Sequence, residues 1–213
     1  MKPKAGVVVF PGSNCDRDTY WALEKAGFDA KYIWYKETDI KDYQLIVLPG
    51  GFSYGDYLRP GALASFSPVV KALWDFKGYI LGICNGFQIL TESKLLPGAL
   101  TKNTNGKFIC EWQTLIVEDN DTPFTNMFRK GQRIKIPIAH SDGRYIKGKG
   151  KNFKVVFRYE ENPNGSEDDI AAIISEDGRI FGTMPHPERA SDEILGSEDG
   201  LGVFLSILRA LKW

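Results

Sequence analysis

Histidine is scarce in this chain. Among 213 residues there are two, His140 and His186, which leaves no material for a histidine-rich metal site. Cysteine is nearly as rare. Cys15, Cys84 and Cys110 form no CxxC pair and, being three, cannot all pair with one another, so a reducing cytoplasm is the expected setting. There is no excess of charge: 27 Lys and Arg balance 27 Asp and Glu, with a pI near 6.7. A neutral chain without a basic stripe or polybasic segment argues against nucleic acid and against a membrane surface. Long apolar runs are also missing. The first, over 6–10, stops at Pro11-Gly12, too short for the core of a signal peptide, and no later run is long enough for a bilayer. No repeat, low-complexity tract or GxxxxGK[ST] phosphate loop occurs, which excludes a nucleotide P-loop.

What the chain does have is 43% hydrophobic residues, enough for a proper core in one α/β domain spanning 1–213. An unbroken apolar strand is predicted over 6–10, as expected where both faces are covered, with further strands over 30–35 and 44–48. A helix follows the first, capped by Asn14 or Asp16 and running to Gly27, with Tyr20, Leu23 and Ala26 inward. Leu63, Phe66, Val70, Leu73 and Trp74 recur at helical spacing and read as core, interrupted at Ser67-Pro68 by a fresh helix start. This strand–helix alternation predicts an open, mostly parallel sheet with right-handed crossovers. From Lys107 the texture changes to strands over 108–118, 133–138, 153–159 and 170–175, an antiparallel extension of one sheet edge. Asp177-Gly178 turns a hairpin into 180–184, and Leu201, Phe204, Leu205, Leu208 and Leu211 form the stripe of a closing helix.

One stretch organises the chemistry. Gly82-Ile83-Cys84-Asn85-Gly86 places a nucleophile between an apolar strand and a helix, with glycine two positions away on each side. A strand that turns directly into a helix strains its corner residue and brings the flanking positions too close for side chains. The helix N-terminus beneath the corner favours a thiolate, and the Asn85 N–H is placed to meet an oxyanion. A small buried structural cysteine fits the spacing equally well. Cys15 is a rival nucleophile, but it lacks the glycine pair and has Asp16 and Asp18 beside it, so it reads as structural or as a wall of the site. The loop Pro49-Gly50-Gly51-Phe52-Ser53-Tyr54-Gly55-Asp56-Tyr57 lets backbone N–H groups face outward, and its aromatic residues imply packing against a neighbour.

A base for the cysteine is offered by Met184-Pro185-His186-Pro187-Glu188-Arg189. Residues two apart on an extended segment face the same way, so Glu188 can hold His186 Nδ1–H and leave Nε2 for Cys84. His140, in His140-Ser141-Asp142-Gly143, has no carboxylate two residues on and reads as a pocket or partner residue.

In that chain order the double-glycine loop, the cysteine elbow and the late His-x-Glu resemble the triad-type (class I) glutamine amidotransferases. Phe10-Pro11-Gly12-Ser13-Asn14-Cys15-Asp16, Gly50-Gly51-Phe52-Ser53-Tyr54-Gly55-Asp56 and Cys84-Asn85-Gly86-Phe87-Gln88 narrow the resemblance to one branch, the glutaminase subunits of phosphoribosylformylglycinamidine synthase. The resemblance implies a flavodoxin-like fold, glutamine as substrate, and Cys84, His186 and Glu188 as catalytic residues. It also implies an oxyanion hole at the N–H groups of Gly51, Phe52 and Asn85, Gln88 near the bound glutamine, and His140 and Ser141 in a pocket or partner loop. No cofactor or metal is implied on this chain. ATP and Mg are expected on a large synthase subunit that takes the ammonia, with a small accessory subunit. The resemblance leads one to expect His-Gly-Glu-Gly where this chain has His140-Ser141-Asp142-Gly143, an acid kept but shortened. Two rival readings are another cysteine-elbow hydrolase of the same fold and a non-catalytic scaffold subunit. The first lacks the Pro-Gly-Gly loop with His-x-Glu, and the second would show a missing triad member.

Overall fold

A computed structural model describes residues 2–148 and 152–211. The first half alternates strand and helix as the apolar pattern predicts. β1 (Lys4–Val9), α1 (Asp16–Ala26), β2 (Asp29–Trp34), β3 (Leu45–Leu48), α2 (Pro68–Ala72), β4 (Tyr79–Ile83) and α3 (Asn85–Glu92) follow one another. Then come β5 (Ala99–Thr101), β6 (Ile109–Val117), β7 (Arg133–His140), β8 (Arg144–Ile146), β9 (Phe153–Tyr159), β10 (Ile170–Ser175), β11 (Ile180–Thr183) and α4 (Leu201–Ala210).

Among the described residues nine strands form one sheet in the order β2-β1-β3-β4-β11-β10-β9-β6-β7. The first five are parallel and the rest antiparallel, which is the mostly parallel sheet with an extension that the sequence predicts. Every residue of β3 and β11 is buried, so helices or loops cover both faces. α1 packs on β1 and α4, while α3 packs on β3, β4 and β11.

Strand direction decides where the loops meet. β1, β3, β4 and β11 run the same way, so the segments after them emerge at one edge. Successive antiparallel pairings from β11 through β10, β9 and β6 make β7 point that way too, and His140 ends it there. The order reverses beside β1, with β2 on one side and β3 on the other. The crevice outside the carboxyl ends at such a reversal is the usual ligand position in open α/β sheets.

Several local expectations are corrected. α1 begins at Asp16 with Cys15 as its cap residue and no side-chain cap bond. Neither Asn14 nor Asp16 caps it. Thr19 instead bonds back to Cys15 O through both its amide and its hydroxyl. Gly27, at φ 108°, ends the helix as read. In the Leu63–Trp74 stripe, Leu73 and Val70 are core, but Phe66 and Trp74 face solvent, because the break at Ser67 leaves only short helical turns whose faces do not line up. Of the aromatic residues in the glycine-rich loop, Tyr54 packs edge-on to Tyr35, whereas Phe52 and Tyr57 are exposed. The small β5–β8 sheet is absent from the sequence reading.

Candidate active site

Cys84 sits between β4 and α3 with φ 50° and ψ −104°, a conformation that costs a non-glycine residue strain. The glycines beside it permit the turn by leaving room. A Cβ on Gly86 would lie 1.9 Å from Leu48 O, and one on Gly82 would lie 2.8 Å from the Gly86 backbone. The Cys84 N–H donates to Thr183 O at 2.7 Å, which ties the elbow to the strand that carries the histidine. Its thiol donates to Ala139 O at 3.7 Å.

His186 and Glu188 are buried to 1% and 0% exposure, with His186 Nδ1 2.6 Å from Glu188 Oε1. The His186 N–H reaches back to Pro137 O at 2.8 Å, so the far end of the sheet coils round to support this segment. Burial pulls the imidazole pKa down, but the Glu188 carboxylate and the Cys84 thiol outweigh it and hold His186 well above its ordinary value. Nε2 takes no hydrogen-bond partner among the described residues. A base ready to meet a thiol has this form, and such contacts commonly tighten only with substrate.

Cys15 also stands at the imidazole. A Cβ on Gly50 would lie 2.8 Å from His186 Cε1 and 3.0 Å from Cys15 Sγ, so the two meet across that glycine. Donor atoms of Cys15, His186 and Glu188 lie within 4.8 Å of one another, the spacing of a metal cage. Its surroundings oppose a cation: Arg189 Nη2 donates to Cys15 Sγ at 2.9 Å, and Glu188 already engages Nδ1. The Cys15 backbone, at φ −103° and ψ 10°, carries none of the Cys84 strain. Sequence reasoning missed Arg189, although it follows Glu188 directly.

The Gly50-Gly51 loop is zipped to the β1–α1 loop. Phe52 N–H donates to Gly12 O at 2.9 Å, Tyr54 N–H to Pro11 O at 2.6 Å, and Cys15 N–H to Gly50 O at 3.2 Å. The Phe52 N–H, expected in the oxyanion hole, is thus engaged by Gly12 O here. The Gly51 N–H has no such bond among the described residues, and the Asn85 N–H opens α3, where no intrahelical acceptor exists. Asn85 Oδ1 accepts from Ser53 N–H at 3.2 Å, and its Nδ2 donates to Gln88 Oε1 at 2.9 Å. Gln88 Nε2 in turn donates to Asp142 O at 2.8 Å. One run of side-chain bonds therefore joins the glycine loop, the elbow helix and the loop holding His140 and Ser141. Burial, and then the charge of Asp142, raise the Asp56 pKa to about 6.

A strained cysteine at the carboxyl edge of a parallel sheet, faced by a buried histidine–glutamate pair, defines a cysteine-dependent hydrolase of α/β fold. Residues 2–156 and 144–198 match the CobB/CobQ-like glutamine amidotransferase domain. The phosphoribosylformylglycinamidine synthase subunit PurQ of Thermotoga maritima is 58% identical over 216 residues, spanning 100% of both chains. That of Aquifex aeolicus is 50% identical, covering 96% of this chain and 99% of its own. The solved PurLQS of Thermotoga maritima contains a chain with TM-score 0.91 and 57% identity, covering 99% of this chain and 100% of that one. A more distant glutamine amidotransferase of Thermotoga maritima, at TM-score 0.66 and 18% identity over 99% of this chain and 98% of its own, shares the fold. The chain belongs to the glutamine amidotransferase family, in its branch of phosphoribosylformylglycinamidine synthase PurQ subunits.

Proposed function

We propose that Cys84, His186 and Glu188 hydrolyse the side-chain amide of L-glutamine within a single domain. The observation that carries this is the 2.6 Å His186–Glu188 pair set against the strained Cys84 elbow. Glu188 holds the proton on His186 Nδ1, so Nε2 takes the Cys84 proton and the thiolate attacks the amide carbon. The N–H groups of Gly51 and Asn85 receive the oxyanion. His186 passes the proton to the amide nitrogen, ammonia leaves, and a thioester remains. Water, deprotonated by His186, cleaves the thioester to glutamate and restores the thiol. Gln88 orders the pocket through Asn85 and the Asp142 carbonyl.

The ammonia serves a separate large synthase subunit of purine biosynthesis. That subunit holds the ATP and Mg, and a small accessory subunit completes the assembly in the cytoplasm. The PurQ relatives and the PurLQS structure support the separate synthase subunit. No helix among the described residues is long and apolar enough to cross a membrane. The test is glutamate release from glutamine by the intact chain and by Cys84→Ala and Cys15→Ala. Activity lost only in Cys84→Ala supports the reading. Loss confined to Cys15→Ala moves the nucleophile, and no release from the intact chain, alone or with the synthase, rejects it.

A further inference from the structure

A buried polar atom without a partner calls for an explanation. His140 Nε2 is such an atom: the residue is 3% exposed, and this nitrogen has no hydrogen-bond partner among the described residues. The other ring nitrogen is fixed. Asn103 Nδ2 donates to Lys107 O and to His140 O, each at 2.9 Å, which sets the amide's orientation. Asn103 Oδ1 then accepts from Gly143 N–H at 3.1 Å and lies 3.1 Å from His140 Nδ1. An amide oxygen only accepts, so Nδ1 carries the proton and Nε2 presents a lone pair. Burial, and then the charge of His186, push the His140 pKa down to about 4, which keeps the ring neutral at working pH. Gly143 presses on the ring, since a Cβ there would lie 2.2–2.4 Å from three of its atoms.

The position is close to the chemistry. His140 stands on a stretch whose carbonyls are taken up by the elbow: Ala139 O receives the Cys84 thiol, and Asp142 O receives Gln88 Nε2–H. A tetrahedral amide intermediate has two N–H groups and one lone pair on its leaving nitrogen, and His186 must protonate that lone pair. A neighbour that holds one N–H therefore fixes where the lone pair points. Such a neighbour must accept and must not donate, and His140 is locked in that state.

We propose that His140 Nε2 accepts an N–H of the substrate's scissile carboxamide, turning the leaving nitrogen toward His186 and selecting an amide over an ester. The proposal rests on the glutamine reading above. An ester oxygen, or the carboxylate of the product, offers only lone pairs to a lone pair. A site built to bond a substrate N–H discriminates against the analogue lacking it, because the buried acceptor is left unpaired.

The test compares hydrolysis of L-glutamine and of L-glutamate γ-methyl ester by the intact chain, His140→Asn, Gly143→Ala and Cys84→Ala. Asparagine can still donate to Asn103 Oδ1 but offers nothing at the Nε2 position. In His140→Asn the ratio of kcat/KM for glutamine to that for the ester is expected to fall about 10–100-fold. Gly143→Ala, which forces the ring aside, should move the ratio the same way. A ratio taken within one variant is insensitive to how much protein is folded, so partial misfolding does not mask it. An unchanged ratio in both variants, including equal losses on the two substrates, overturns the proposal. Hydrolysis of glutamine by Cys84→Ala would instead count against the triad reading, which separates the two failures.

Discussion

Two thiols beside one imidazole differ in what else holds them. Cys84 has the strained backbone and the helix N-terminus, while Cys15 accepts from Arg189 and itself donates to Asn14 Oδ1 at 3.3 Å. Glu188 supports His186 in two ways, by fixing its tautomer and by favouring its charged form. Because the folded-state pKa of His186 is raised, the pair's stabilisation is fully present below the ordinary histidine pKa and fades as pH climbs through the raised one. Replacing Glu188 by Gln removes the charge and leaves an amide that can turn either its oxygen or its NH2 to Nδ1, so the tautomer is no longer enforced; kcat for glutamine should fall by roughly 10²–10⁴-fold, and His186→Ala should do at least as much. A Glu188→Gln variant within threefold of the intact chain would deny Glu188 that role. Asp56 changes stability in the same direction with pH, though here it is the neutral form that the fold favours. Its pKa, raised from 3.8 to about 6, makes the folded state bind more protons than the unfolded one in between, so its ionisation costs stability as pH rises through that window. Asp56→Asn, which suits the positive φ there, is expected to raise Tm near pH 7.5, with the difference closing toward pH 4. Melting curves at the two pH values decide it.

At the scale of elements, the elbow is a packing problem before it is a catalytic one. α3 can follow β4 immediately only because the Gly86 backbone lies against Leu48 O, which belongs to β3 and cannot move aside. Gly86→Ala should therefore cost at least about 1–3 kcal/mol in urea unfolding and reduce glutamine hydrolysis along with stability. Unchanged unfolding would mean the contact is slack. This element was legible in the sequence because glycine spacing and the strand-to-helix change report a local constraint. The parallel strands and the antiparallel extension were legible for the same kind of reason, since apolar runs and alternation are local. What escaped depends on residues far apart in the chain. The Phe52 amide is turned away by Gly12, 40 residues earlier. Asn103, which locks His140, comes from the end of β5 and carries no motif. Phe66 and Trp74 keep helical spacing yet face solvent, because spacing does not say whether a neighbour covers the face.

Across the whole molecule, one sheet edge gathers the β1–α1 loop, the glycine loop, the elbow, the β7 end and the His-x-Glu segment. Exposed Phe52, Tyr57, Leu58 and Phe66 cluster in sequence around that glycine loop, and Tyr54, Asp56 and Leu58 hold positive φ. Ammonia released into water is protonated and lost, so a glutaminase without its own acceptor gains from staying slow until docked. The expected outcome is low kcat for glutamine in the lone chain and a rise of roughly 10²–10³-fold in the reconstituted complex with synthase ligands, the worth of one oxyanion donor brought into place. Equal kcat in the free and docked states would mean the hole is always formed. The central claim, that Cys84 is the nucleophile which takes the glutamyl group, is tested most directly by trapping the thioester. The chain is mixed with glutamine, quenched in acid during turnover, and peptide-mapped by mass spectrometry. A glutamyl adduct on the Cys84 peptide, kept in Cys15→Ala and absent from Cys84→Ala, is the expected result. An adduct on the Cys15 peptide would contradict the account.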